Sequence, residues 1–217
     1  MVKMEAKKQE KLERVLDQAS ELFANSEFHQ VSMEDIATRA GVGKGTLYNL
    51  FESKEDLYFS IIRERLNQLL DILENTYNRR NDTMKNLRSL IIHLHKFMSK
   101  HRHFYRIWKR EEGVINGSLK HRVISGLQDR IFDLVTQTLS RGETEGVICK
   151  GMDLSLIGRL LLGMIDGLRK SPEKVYQQER CIDDLLAVLI HGIGTEQADT
   201  RVTYEEYRHR SRKEGHG

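Results

Sequence analysis

The sequence predicts an all-α fold of about nine helices, and three observations carry that expectation. Apolar residues recur every three to four positions through most of the chain, the period of a helix with one buried face. There is a single proline, Pro172, in 217 residues, whereas strand-built domains need many turn residues. The glycines fall mostly between the periodic segments, where helices end. No segment alternates in the manner of a strand. The length fits one large domain or two small ones. With 39% hydrophobic and 31% charged residues, the composition is that of a folded globular chain.

The elements follow in order. Val15, Ala19, Leu22 and Phe23 place a first helix over about residues 5–25. Ser32 is an N-cap residue with Asp35 three positions on, a capping box with the shorter acid. The helix it opens runs through Ile36 and Ala37 and stops at Gly41. A short helix covers 44–51. Ser53, with Asp56 three residues on, caps a long helix carrying Leu57, Ile61, Leu66, Leu70 and Leu73. Further helices are expected over 83–100, over an aromatic segment at 101–112, and over 118–141 with Gly142 as its stop. Asp153 caps a helix through Leu160, Leu161 and Ile165. Ser171-Pro172 opens the last, with proline at the first helical position.

Composition also excludes several function classes. The two cysteines, Cys149 and Cys181, are too few for a disulfide framework, so a reducing interior is expected. The N-terminus lacks the apolar core of a signal peptide, and no stretch approaches about 18 uncharged apolar residues, so no membrane contact and a cytoplasmic location are expected. The first 60 residues hold eight Lys/Arg against eleven Asp/Glu, while residues 78–110 hold ten Lys/Arg against Asp82 alone. That basic stretch suits DNA, an anionic ligand or plain solvent. His93/His95 and His101/His103 are spaced two apart, which on a helix sends the rings to different sides, so no metal site is expected. No triad, phosphate loop or Glu-x-x-His pair is present, so no catalytic residue and no cofactor are assigned and the chain does not read as an enzyme.

The informative segment is Ser32 to Tyr48. Two short helices joined by a tight turn need a small residue where they cross, supplied by Ala37, and a residue able to take positive φ, supplied by Gly41. Leu47 then packs the second helix back on the first. This is the geometry of a helix-turn-helix, whose second helix enters the major groove. The stretches Ala19-Ser-Glu-Leu-Phe-Ala, Asp35-Ile-Ala, Ala40-Gly-Val, Lys44-Gly-Thr-Leu-Tyr and Phe51-Glu-Ser-Lys-Glu-Asp-Leu, within residues 12–60, resemble the TetR (tetracycline repressor-like) family. One departure is Asn25-Ser-Glu-Phe, which replaces the family's usual Gly-Phe/Tyr turn after the first helix.

The resemblance implies a DNA-binding domain at 1–54, a ligand-sensing and dimerisation domain at 55–200, and a polar, basic tail at 201–217. It implies that Lys44, Thr46, Tyr48 and Asn49 project from a recognition helix, with Tyr48 on a phosphate, Thr46 on a phosphate or base, and Lys44 on a guanine edge or phosphate. Ser32 and Lys54 stand at helix N-termini, where free N–H groups and the helix dipole favour a DNA phosphate.

In the family the last two long helices form a four-helix dimer interface, which assigns Leu161, Ile165, Leu168, Ile182, Leu186 and Leu189 to a homodimer contact; an intramolecular core is the alternative. His93, Phe97, Phe104, Trp108 and Met164 are the candidate lining of a pocket for an unidentified small-molecule effector, and core packing is the plainer reading of the aromatics. The function implied is a ligand-responsive transcriptional regulator: a repressor that binds a palindromic double-stranded DNA operator as a homodimer and is released by an inducer. Two alternatives are a helical enzyme and a DNA-binding protein whose partner is another protein.

Overall fold

The computed structural model describes residues 2–111, 119–169 and 175–193. Nine α-helices and one 3₁₀ turn make up these residues: α1 Val2–Asn25, the turn Phe28–Gln30, α2 Met33–Ala40, α3 Lys44–Leu50, α4 Lys54–Thr76, α5 Thr83–Lys100, α6 Arg102–Glu111, α7 Leu119–Glu145, α8 Leu154–Arg169 and α9 Val175–Ile193. The Ser171-Pro172 helix start and the 201–217 tail lie outside the described residues. The chain divides into two compact units. The first joins Met1–Leu69 with Lys100–Gln128, and the second joins Leu70–Ser99 with Asp129–Gly217. Besides the helix-turn-helix, the first unit therefore takes in α6, which a division at residue 54 leaves out.

Within the first unit, α1 buries Val15, Leu16, Ala19 and Phe23, one stripe at helical spacing. Ile36, Ala37, Leu47, Leu57, Ile61, Leu66, Phe104 and Ile107 complete the core. Phe23, Phe28 and Tyr58 form an aromatic cluster with ring centroids 5.1–5.6 Å apart. Besides the burial of Phe104 and Ile107, charge joins α6 to α1. The C-terminus of α1 carries partial negative charge, and its own last turn has no basic residue. Arg110 supplies it by donating to the Phe23 carbonyl at 3.2 Å, and Arg106 donates to Asn25 Oδ1 at 2.8 Å.

A buried charge ties α1 to α4. Arg65 is 1% exposed. It donates to Glu13 Oε2 and Gln68 Oε1, each at 2.6 Å, and to Asp17 Oδ1 at 2.7 Å. A buried guanidinium is tolerable only with such partners. Burial alone would raise the Glu13 carboxyl, but the hydrogen bond and charge of Arg65 outweigh it and hold Glu13 below its usual range. His101 Nδ1 lies 3.9 Å from Asp17 Oδ1. Burial, aided by Arg65, pushes that imidazole down to about 4, so it is neutral at pH 7.

In the second unit, Leu87, Ile91, Leu94, Ile131, Val135, Leu139, Ile157, Leu161, Ile182 and Leu186 form the core. Arg88 of α5 donates to Asp183 of α9 at 2.9 Å. Gly142 does not stop α7, which continues to Glu145. A Cβ at Gly142 would stand 2.6 Å from Ile148 Cδ1 and 3.0 Å from Thr83 Cγ2, so glycine is needed there for close packing. The stop is Gly146, at φ 75°, and the Val147 and Ile148 N–H groups turn back to the Gly142 carbonyl at 3.0 and 3.1 Å.

Candidate nucleic-acid interface

The α2–turn–α3 segment is built as its residues dictate. Ser32 caps α2: its hydroxyl accepts from the Asp35 N–H, and the Ser32 N–H donates to Asp35 Oδ2. The Ser32 hydroxyl and backbone N–H hold the Asp35 carboxyl below its usual range. Gly41 takes φ 62°, the left-handed conformation that ends a helix, and the Val42 N–H bonds the Ala37 carbonyl at 3.0 Å. Ala37 and Leu47 are buried where the two helices meet. The opposite side of α3 faces solvent: Lys44, Thr46, Tyr48 and Asn49 are all exposed, Tyr48 at 49%. Lys44 and Tyr48, four apart, share one face. That face offers an ammonium, two hydroxyls and an amide, the group types that contact phosphates and base edges.

The side chains of Ser32 and Lys54, the two other expected phosphate contacts, also have partners within the chain. The Ser32 hydroxyl donates its proton to Asp35 Oδ2. Lys54 donates to the carbonyls of Phe28 and Val31, both at 2.9 Å, and lies 4.5 Å from the centre of the Phe28 ring. It fastens the 3₁₀ turn to the start of α4. The expected phosphate contacts rest on the backbone N–H groups at these two helix N-termini, so both positions remain candidates for the DNA-facing surface. The basic surplus of 78–110 is likewise partly spent inside the fold, on α1 by Arg106 and Arg110 and on Asp183 by Arg88.

The five expected pocket residues fall in different units, Phe104 and Trp108 in the first and His93, Phe97 and Met164 in the second. Phe104 and Trp108 stack, with ring centroids 5.8 Å apart and planes 9° from parallel. Phe97 is buried, while His93 and Met164 are half-buried. His93 Nδ1 lies 2.7 Å from the Ser89 carbonyl, an acceptor, so that nitrogen carries the proton. The second unit holds a small crevice of about 10 Å³, lined by Leu73, Thr76, Tyr77, Asn86, Ser89, Leu90 and Leu134. None of the five residues lines it. Ser89, which lines it, is one helical turn before His93. Among the described residues no group of three or more His, Cys, Asp or Glu is placed to hold a metal, and no helix is long and apolar enough to cross a membrane.

The residues assigned to a dimer contact have a different place. Leu161, Ile165, Ile182, Leu186 and Leu189 are buried within the single chain, and Leu168 is half-buried. Burial in the chain's own core is what the intramolecular alternative expects of the first five. The large apolar side chains that α8 and α9 expose are Leu156 at 53%, Leu160 at 57% and Val188 at 66%. A signal for them was present, because α8 carries leucines on every side, and a helix apolar all round has two faces to cover.

Comparison with known proteins settles the class. The sequence pattern described as "Bacterial regulatory proteins, tetR family" matches residues 15–61, and that described as "YsiA-like protein, C-terminal region" matches residues 62–192. The chain is 27% identical over 189 residues to the fatty acid metabolism regulator protein of Bacillus subtilis, covering 86% of this chain and 97% of that one. It is 26% identical over 200 residues to the HTH-type transcriptional regulator UidR of Escherichia coli K12, covering 90% and 98%. Two solved structures share the fold: FadR of Bacillus subtilis in complex with stearoyl-CoA (TM-score 0.68, 23% identity, covering 83% and 98%) and the ketosteroid regulator KstR2 of Mycobacterium tuberculosis (TM-score 0.72, 20% identity, covering 85% and 95%). With a helix-turn-helix at its N-terminus and both family patterns matched end to end, the chain belongs to the tetR family of bacterial regulatory proteins and is a ligand-responsive transcriptional regulator.

Proposed function

We propose that the protein is a cytoplasmic repressor that binds a palindromic operator as a homodimer and is released by a long-chain acyl thioester. The observation that carries the ligand class is the 27% identity over 189 residues to a fatty acid metabolism regulator, spanning 97% of that protein. The solved relative that holds stearoyl-CoA supports it. The pocket of the second unit has suitable chemistry: Leu73, Leu90 and Leu134 offer apolar walls, and Thr76, Tyr77, Asn86 and Ser89 offer polar groups. Its cavity volume is about 10 Å³, room for little more than one water, so a long acyl chain requires a more open conformation. The exposed side chains of α3 make the DNA contacts, with Lys44, Thr46, Tyr48 and Asn49 in the major groove. The dimer forms on the face of α8 and α9 that carries Leu156, Leu160 and Val188. The protein acts by binding alone and catalyses nothing.

The test is a gel shift on the DNA upstream of the protein's own gene, with stearoyl-CoA, stearate and CoA as competitors. Stearoyl-CoA releases the DNA at concentrations where CoA has no effect. Retention of the shift with all three compounds, beside a normal shift without them, refutes the acyl-thioester assignment and leaves DNA binding standing.

A further inference from the structure

Glu34 lies on α2 and Lys44 is the first residue of α3. Across the turn, Lys44 Nζ donates to Glu34 Oε2 at 3.3 Å. Both side chains are well exposed, at 59% and 73%. Ion pairs this open to water add little to stability, so packing supplies no reason for the contact. Lys44 shares a face of α3 with Tyr48, and the contact brings the Glu34 carboxylate to the same face. A carboxylate there is unfavourable for plain phosphate binding, because it repels the DNA backbone.

We propose that Glu34 is a specificity-determining residue, and that Glu34 and Lys44 together read one G·C pair in each operator half-site. In the major groove guanine presents the acceptors N7 and O6, and the paired cytosine presents its N4 amino donor. Lys44 donates to the guanine and Glu34 accepts from the cytosine amino group, so donor and acceptor stand side by side on the protein as acceptor and donor do on the base pair. An A·T pair opposes both groups: adenine N6–H₂ meets the ammonium and thymine O4 meets the carboxylate. Glu34 also weakens attachment to DNA that lacks the matching pair, since its charge is then left against phosphates with no compensating bond. The proposal rests on α3 being the DNA-reading helix.

The experiment selects binding sites from a randomised duplex pool with the full chain as wild type, Glu34→Ala, Lys44→Ala and Tyr48→Ala, and measures binding to one mixed-sequence duplex. Wild type enriches a motif with a fixed G·C pair in each half-site. Glu34→Ala and Lys44→Ala each lose the preference at that pair alone, on the order of tenfold. Glu34→Ala binds the mixed-sequence duplex several-fold more tightly, while Lys44→Ala binds it no better. An unchanged motif in Glu34→Ala overturns the proposal whatever happens to mixed-sequence affinity. Failure of the underlying reading looks different: wild type enriches no motif, or Tyr48→Ala binds the motif as tightly as wild type. Equal melting temperatures for wild type and Glu34→Ala establish that the variant is folded.

Discussion

Arg65 shows how far a single side chain can set local energetics. It is buried, while its partners Glu13 and Asp17 keep 33% and 59% of their side-chain surface in water. That asymmetry predicts unequal costs. Arg65→Met leaves two carboxylates that water can reach, so the loss is modest. Glu13→Gln with Asp17→Asn leaves a guanidinium buried without a counter-charge, which costs about 3–5 kcal/mol. Denaturant melts of both variants check the order, and a larger loss for Arg65→Met contradicts it. His101 adds a pH dependence to the same cluster. Its folded-state value is lowered to about 4 from 6.5, so between those pH values the unfolded chain binds more protons than the folded one. Stability is therefore fully present above about pH 6.5 and falls as pH drops towards 4. Glu13, also held low, loses its contribution in the same direction at more acid pH. His101→Gln flattens the decline between pH 6.5 and 5; an unaltered profile in melts across that range removes His101 from the account. At this scale the sequence was legible where a residue has one neighbourhood to choose from. Thr46, Tyr48 and Asn49 sit on a short helix whose other side is fixed by Leu47. The Ser32–Asp35 box was legible because it is local, whereas the bonds from Lys54 to the Phe28 and Val31 carbonyls depend on how the chain folds back.

Helix boundaries were legible because caps and periodicity are local. Ser32, Ser53 and Asp153 each accept an N–H three residues on, and α5 runs from Thr83 to Lys100 as its apolar spacing requires. Faces were harder. Gly142 looked like a stop because glycine usually is one, whereas its packing role depends on Ile148 and Thr83. On α8 the pattern Leu154-Ser-Leu-Ile-Gly-Arg-Leu-Leu-Leu gives two apolar faces, and periodicity does not say which meets the chain's own core. The structure turns Ile157, Leu161 and Ile165 inward and Leu156 and Leu160 outward. The proposed dimer on the outward face gives a paired prediction. Leu160→Arg places a charge where the single chain has solvent, so the variant folds, sediments as a monomer and loses operator binding. Leu161→Arg places the same charge in the core and unfolds the second unit. Circular dichroism with sedimentation separates the two results, and a dimeric Leu160→Arg protein moves the interface elsewhere.

At the scale of the whole molecule, the sequence showed two functions in one chain but not where the units part. The division at residue 54 follows the order of elements, while the structure assigns α6 to the first unit, through contacts such as Arg110 to the Phe23 carbonyl that span 87 positions. No local pattern encodes a pairing that distant. The helices α4 and α7 each have residues in both units. Regulation by an acyl thioester then requires a coupling free energy between two sites, typically about 1–3 kcal/mol, or roughly 5- to 150-fold in affinity. Such coupling is reciprocal. Whatever factor stearoyl-CoA imposes on operator affinity, operator DNA imposes on stearoyl-CoA affinity. This matters because a long-chain thioester is an amphiphile, and an amphiphile releases DNA from any protein it denatures. Denaturation has no reciprocal. Titrating stearoyl-CoA into the free protein and into the saturated operator complex, by calorimetry below the aggregation threshold of the thioester, distinguishes the two. The expected result is weaker stearoyl-CoA binding to the complex, by the same factor as the loss of operator affinity measured separately, with helical content unchanged. Equal affinity for free and DNA-bound protein, alongside a lost gel shift, identifies the release as detergent action and removes the acyl thioester as the effector.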